Sequence, residues 1–256
     1  MMLVSDRGNK VLATVTSTDG IEWGNYKVVL AGSEGTWEDV VNRGCIMTKD
    51  SMTYLYYTGQ FQGMSHIGVA ISKDGEAFTR ISIDPILKPE FEYEKVSVMN
   101  PCVIYDDGAD CFKMWYSAGD TYEPDVICYA ESSDGINWNK KKGPVLTKSH
   151  NEWEKERIGG CQVLKDTEGN YTIYYIGYQN LDVARICYAE SSDGIHWVRP
   201  NNNLLLSPTA GSWDSDAVYK PTVIEWKGKQ LLYYNGRKGH GEYIGLATRN
   251  INSPSN

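Results

Sequence analysis

The groups best suited to proton transfer lie in four short loops of one make, an aromatic residue followed by acids. They are Trp37-Glu38-Asp39, Tyr93-Glu94, Trp153-Glu154-Lys155-Glu156 and Trp213-Asp214-Ser215-Asp216. A carboxyl group in the right protonation state serves as a general acid or base, and Asp39, Glu156 and Asp216 are the candidates for that role. The competing reading is a repeated loop whose aromatic packs and whose acid caps a turn. A second set of groups is cationic. Arg43, Arg157 and Lys220 follow the acid loops, Asn100 stands at a matching place, and Arg237 and His240 lie in the segment NGRKGHGEY. In a chain of net charge −8, cations gathered at one place favour an anionic ligand, because Arg and Lys pair with carboxylate or phosphate. The alternative is that they form salt bridges with the loop acids and do no more. None of the six cysteines forms a CxxC pair, so no metal site is expected, and no cofactor either.

The loops recur because the chain repeats. One landmark is VTSTDGIEW (15–23), AISKDGEAF (70–78), AESSDGINW (130–138) and AESSDGIHW (189–197). Another is an aromatic pair before a small residue: LYYTG (55–59), MWYSAG (114–119), IYYIG (173–177) and LYYNG (232–236). Its second aromatic falls at Tyr57, Tyr116, Tyr175 and Tyr234, 59 residues apart each time. A third is GCIM (44–47), PCVI (101–104), GCQV (160–163) and PTVI (221–224). Each repeat holds about four short strands between Gly, Asp and Asn turns, which is the signature of propeller blades. The DG step supplies a positive-φ turn between the third and fourth strands. Trp23, Phe78, Trp138 and Trp197 then pack between blades.

The expected fold is therefore all-β, a single five-bladed propeller domain with blades at about 1–30, 37–89, 92–147, 151–207 and 213–249. MMLVS aligns with KMWYS, so the first blade lacks its innermost strand, and residues 2–5 should pair with 11–16 in an antiparallel hairpin. Either this is a truncated form or the ring closes in an unusual way.

Composition narrows the function. The charge of −8 argues against a nucleic-acid binder. A mean hydropathy of −0.44 without a long apolar run argues against a membrane partner, and no leader peptide is expected. Tyr (18) and Trp (8) far exceed Phe (4), and with 25 Gly they suggest short strands, tight turns and a surface suited to sugars. Cys45, Cys102 and Cys161 read as one slot of the repeat and Cys128 and Cys187 as another, with Cys111 near a hairpin turn. Reduced, mostly buried thiols point to the cytoplasm.

The motif P-x-V-I, K-M-W-Y-S and Y-A-x-S-x-D-G-x-x-W resembles the five-bladed propellers of glycoside hydrolase families 43, 32 and 130 along essentially the whole chain. The resemblance implies an axial funnel that takes a small carbohydrate, lined by the starts of the innermost strands. In those families the carboxylates sit one or two residues before a Pro slot, and hydrolysis uses two of them across the glycosidic bond. Here the Pro slots read as Gly44, Pro101, Gly160 and Pro221, preceded by Arg43, Asn100, Gly159 and Lys220, none of them a carboxylate. The expected activity is that of a glycosidase with displaced carboxylates at Asp39, Glu156 or Asp216; the alternatives are a phosphorylase that uses bound phosphate, or a sugar-binding propeller without catalysis. In each the expected ligand-binding residues are Arg43, Asn100, Arg157, Lys220, Arg237 and His240, for a carbohydrate that is anionic or bound with phosphate.

Overall fold

The computed structural model describes residues 1–251, which form 18 strands and two one-turn 3-10 helices. The protein is all-β. It divides into two compact units, the first Met1–Leu146 and the second from Thr147 onward. In the first unit, β1 (Met2–Asp6), β2 (Val11–Thr16) and β3 (Gly24–Ala31) form one sheet. The expected hairpin is present, with Met2 opposite Val15 and Asp6 opposite Val11. Two four-stranded repeats follow: β4 (Val40–Lys49), β5 (Met52–Phe61), β6 (Met64–Ser72) and β7 (Thr79–Arg80), then β8 (Ser97–Asp106), β9 (Cys111–Asp120), β10 (Glu123–Ser132) and β11 (Asn139–Lys140). One parallel bridge, Ser65 to Ser97, joins the two. The second unit holds β12 (Arg157–Lys165), β13 (Tyr171–Tyr178), β14 (Ala184–Ser191) and β15 (Leu204–Leu206). It continues with a three-stranded sheet of β16 (Ala217–Trp226), β17 (Lys229–Lys238) and β18 (Gly241–Asn250).

The turn after each third strand is built the same way because a four-residue motif satisfies its own backbone. At Ser72-Lys73-Asp74-Gly75, Ser72 Oγ donates to Asp74 Oδ1 and accepts from Gly75 N–H. Asp74 Oδ1 accepts two further N–H groups, from Glu76 and Ala77, at 2.8 and 2.9 Å. Gly75 has φ +73°, where only glycine is unstrained. Asp134 and Asp193 repeat the geometry. These donors hold the Asp74 carboxyl well below its ordinary range.

Packing within the first unit joins neighbouring repeats. Tyr56, fully buried, donates its hydroxyl to the Gly135 carbonyl at 2.9 Å, and Trp138 meets the Tyr56 ring edge-on at 5.8 Å. Phe78 packs against the buried cluster that joins Leu12 and Leu30 of the first sheet to Leu55 and Ala70 of the next repeat. These contacts place Trp138 and Phe78 between repeats, as expected.

The acid loops hold the repeats together from inside, which goes beyond the expected turn cap. Glu38, Glu94, Glu154 and Asp214 are all buried. Each accepts the hydroxyl of the second aromatic of its repeat: Tyr57 at 2.7 Å, Tyr116 at 2.7 Å, Tyr175 at 2.6 Å and Tyr234 at 3.2 Å. Three of them also meet a cation from the fourth segment: Arg80 with Glu38 at 2.7 Å, Lys140 with Glu94 at 2.8 Å and Arg199 with Glu154 at 3.0 Å. A buried charge persists only when it is paired and hydrogen-bonded.

This wiring predicts an acid limb. Burial alone would raise the Glu94 pKa, but Lys140, the Phe91 and Glu90 N–H groups and Tyr116 together bring it below the ordinary 4.5. Burial is likewise outweighed at Glu154 by Tyr175, Ser149, Arg199 and Asn151. A carboxyl whose folded pKa is depressed stabilises the fold fully above its unfolded pKa and loses that contribution as pH falls through the folded value. The urea midpoint should therefore be flat down to about pH 5 and drop steadily below about 4.5. A midpoint unchanged from pH 6 to pH 3 would refute this account of the buried glutamates.

The cysteines differ from expectation in two respects. All six are free, but Cys45, Cys111 and Cys161 are only half-buried, whereas Cys102, Cys128 and Cys187 are buried. Nor does Cys161 share the slot of Cys45 and Cys102. Pairing resumes after the inner-strand irregularity at Cys45, Cys102, Gln162 and Thr222. The slot's function survives the change of residue. Cys45 Sγ contacts the backbone N–H and C=O of Val103, and Gln162 clamps the same two groups of Val223 through its amide.

Candidate ligand site

Every inner strand carries a bulge near its start. Register shifts fall between Asn42 and Cys45, Met99 and Cys102, Gly159 and Gln162, and Tyr219 and Thr222. The first residue skipped has left-handed φ in each: Arg43 at 48°, Asn100 at 55°, Gly160 at 55° and Lys220 at 57°. This corrects the third Pro slot by one residue. Cys161, not Gly160, matches Gly44, Pro101 and Pro221, so Gly160 rather than Gly159 matches Arg43. Glycine and asparagine suit left-handed backbone. Arg43 and Lys220 do not, and such a conformation costs about 1–3 kcal/mol, a cost also met at Lys10, Lys95 and Lys227.

The bulges are braced by hydroxyls that sequence reasoning overlooked. Arg43 N–H donates to Ser5 Oγ at 2.9 Å and Asn100 N–H to Thr58 Oγ1 at 2.8 Å. Ser5 and Thr58 occupy one repeat position, directly after the second-strand residues Val4 and Tyr57. The hydroxyl following the aromatic pair in LYYT and MWYS was the available signal.

The first unit thus brings Arg43 and Asn100 together, Arg43 Nε donating to Asn100 Oδ1 at 3.1 Å. Asn42, 6% exposed, stands beside them, and its buried Oδ1 receives no hydrogen bond among the described residues. Asp39 points elsewhere. It pairs with Lys10 at 2.5 Å and accepts Gly35 N–H, and these two contacts lower its pKa.

The second unit forms two groups. Lys220 Nζ lies 4.0 Å from Glu242 and 5.3 Å from the Tyr219 ring. Burial and the hydrogen bond to Glu242 raise the Tyr219 pKa, so it is a neutral donor. Asp216 accepts Gly239 N–H at 2.7 Å, and that bond is the main reason its pKa is lowered. Arg237 stands opposite Ala217 and donates to the Asp182 carbonyl at 2.5 Å. His240 is exposed in the turn between β17 and β18. Arg157 starts β12 opposite Tyr178, and the preceding Glu156 is exposed. Among the described residues the Glu156 carboxylate makes no hydrogen bond or ion pair, unlike those of Asp39 and Asp216.

At these bulges the first unit offers a guanidinium and an amide and the second unit an ammonium group, and none of the four positions holds a carboxylate. That chemistry suits an anion or a set of hydroxyl groups.

Residues 3–159 match the model of the glycosyl hydrolases family 32 N-terminal domain. An uncharacterized protein of Mycobacterium tuberculosis (strain ATCC 25618 / H37Rv) is 30% identical over 235 residues, which cover 86% of this chain and 75% of that protein. A 1,2-beta-oligomannan phosphorylase of Thermoanaerobacter sp. (strain X514) is 34% identical over 149 residues, 50% of this chain and 48% of the relative. A solved structure described as a glycoside hydrolase superposes with a TM-score of 0.79 at 19% identity, over 93% of this chain and 78% of that one.

Proposed function

We propose that this chain, which belongs to the superfamily of five-bladed β-propeller glycoside hydrolases and phosphorylases, acts on a small glycoside with phosphate as its second substrate. One observation carries the reading: the strained bulge position is filled by Arg43, Asn100, Gly160 and Lys220, two cations and no carboxylate. Hydrolysis needs two carboxyl groups facing each other at about 5–10 Å. Phosphorolysis needs one acid and a basic place for the phosphate. A phosphate oxygen forms the new bond to the anomeric carbon, the glycosidic C–O bond breaks, and the departing oxygen takes the acid's proton. Glu156 is the acid this reading selects, because Asp39 and Asp216 are already engaged by Lys10 and Gly239. The relative from Thermoanaerobacter makes β-1,2-linked manno-oligosaccharides the first glycosides to try. The free thiols fit a reducing, cytoplasmic setting.

Calorimetry with phosphate, sugar phosphates and uronates, then with neutral manno-, xylo- and arabino-oligosaccharides, tests the ligand. Arg43→Ala and Lys220→Ala should each weaken anion binding by more than about 1.4 kcal/mol, a tenfold effect typical of charge-assisted bonds. With β-1,2-mannobiose and phosphate, the products should be one mannosyl phosphate and one free mannose, and Glu156→Gln should stop turnover while binding persists. Neutral sugars bound equally well and unaffected by either cation substitution would reject the anionic ligand. Two free mannoses per disaccharide, with no mannosyl phosphate, would return the chain to hydrolysis. The engagement of Asp39 and Asp216 also favours a second reading, sugar binding without catalysis, which binding without any product would support.

A further inference from the structure

The second unit carries a carboxylate inside its cationic group. Glu242 stands directly opposite Arg237 on paired strands, so both side chains lie on one face of the sheet. Arg237 in turn stands opposite Ala217, and Tyr219, two residues further along that strand, shares the face. Tyr219 donates its hydroxyl to Glu242, and the Arg237 charge acts on the same hydroxyl. Lys220 Nζ approaches the Glu242 carboxylate to 4.0 Å. A guanidinium, an ammonium group and a neutral phenol thus gather about one carboxylate, whose side chain is 42% exposed.

Neither the repeat nor stability accounts for that carboxylate. The same slot holds Ser65 opposite Gln60 in one repeat and Ala184 opposite Tyr178 in another, so the fold requires no acid there. An exposed ion pair contributes only about 0–1 kcal/mol. At 4.0 Å the contact with Lys220 is also longer than the roughly 2.7–2.9 Å of a charge-assisted hydrogen bond. What an ionised carboxylate does among oxyanion-binding groups is discriminate. It can only accept hydrogen bonds, so it welcomes an oxyanion that still carries a proton and repels one that carries none. Inorganic phosphate keeps at least one proton across the neutral range, and sulfate keeps none. A phosphate monoester loses its last proton at about pH 6.

We infer that Tyr219, Lys220 and Arg237 hold a phosphate and that Glu242 accepts the hydrogen of its P–OH group, so that inorganic phosphate is taken and sulfate and ionised phosphate monoesters are refused. The inference rests on the phosphate reading above and names the residue that decides which oxyanion qualifies. In phosphorolysis the monoester is the product, so the carboxylate that admits the substrate phosphate also favours departure of the sugar phosphate.

Calorimetry on the intact chain with inorganic phosphate, sulfate and methyl phosphate at about pH 8 is the test. Phosphate should bind at least about tenfold more tightly than either of the other two. Glu242→Gln should bring the three anions within about threefold of one another, chiefly by tightening sulfate and methyl phosphate, with Tm unchanged because the side chain is exposed. Lys220→Ala should weaken phosphate binding in either background. If Lys220→Ala weakens phosphate but the wild-type chain binds sulfate equally well, or Glu242→Gln leaves the phosphate-to-sulfate ratio where it was, this inference falls and the phosphate reading stands. A Glu242→Gln chain that melts earlier at an unchanged ratio would make Glu242 a structural ion pair and overturn the inference in the same way. Absence of phosphate binding, or binding indifferent to Lys220→Ala, would overturn both.

Discussion

Replacing Glu94 by Ala is expected to lower stability by about 3–5 kcal/mol, the cost of breaking a buried ion pair from one side. Glu94 is fully buried, and the Lys140 side chain that faces it is 5% exposed. The substitution strands that ammonium among Phe91, Tyr116 and the Lys88 carbonyl. It also removes the acceptor for the Tyr116 hydroxyl and for the N–H groups of Glu90 and Phe91. Such a loss is a large share of the 5–15 kcal/mol typical of a folded domain. Asp214→Ala is the informative comparison, because the same slot there holds no cation among the described residues. It should cost only about 1 kcal/mol, the worth of the Tyr234 hydrogen bond. Urea unfolding at pH 7 with an unchanged m-value measures both. Equal losses would show that the ion pair adds nothing beyond the tyrosine bond.

Gly59→Ala should destabilise by about 1–3 kcal/mol through overpacking. A Cβ at Gly59 would sit 2.3 Å from the Trp37 ring and 2.8 Å from Glu38 Cβ. Trp37 cannot retreat easily, since it stacks on Tyr57 at 6.1 Å and donates its indole N–H to the Ile83 carbonyl. The protein contains its own suppressor. The matching position of the next repeat is Ala118, buried, and the matching loop aromatic there is Tyr93. Trp37→Tyr combined with Gly59→Ala should therefore be more stable than the sum of the single losses, by about 0.5 kcal/mol or more. Strict additivity of the two substitutions would disprove the proposed clash.

The local code was legible wherever a few consecutive residues close their own hydrogen bonds. Ser72-Lys73-Asp74-Gly75 and its copies make a turn from their own side chains, so the motif could be read directly as the link between third and fourth strands. The aromatic pairs were legible for a related reason: alternation along a strand puts Tyr56 and Tyr57 on opposite faces, and a fixed repeat length puts each copy in the same place. The acid loops were visible, but their role was not. Glu38 meets Arg80 across 42 residues and Glu94 meets Lys140 across 46, and no spacing rule reaches from one to the other.

Charge, aromatic usage and repeat length were thus sufficient for an all-β repeat protein. Which acids are already engaged was a matter for the tertiary structure. So was the slot of Gly160, because a bulge sets two residues against one and shifts the count without leaving a mark in the residue types. The joining of Arg43 to Asn100, 57 positions away, came from the same source. Local geometry follows from neighbours in the chain; the electrostatic partner of a buried group follows only from which strands the fold lays side by side.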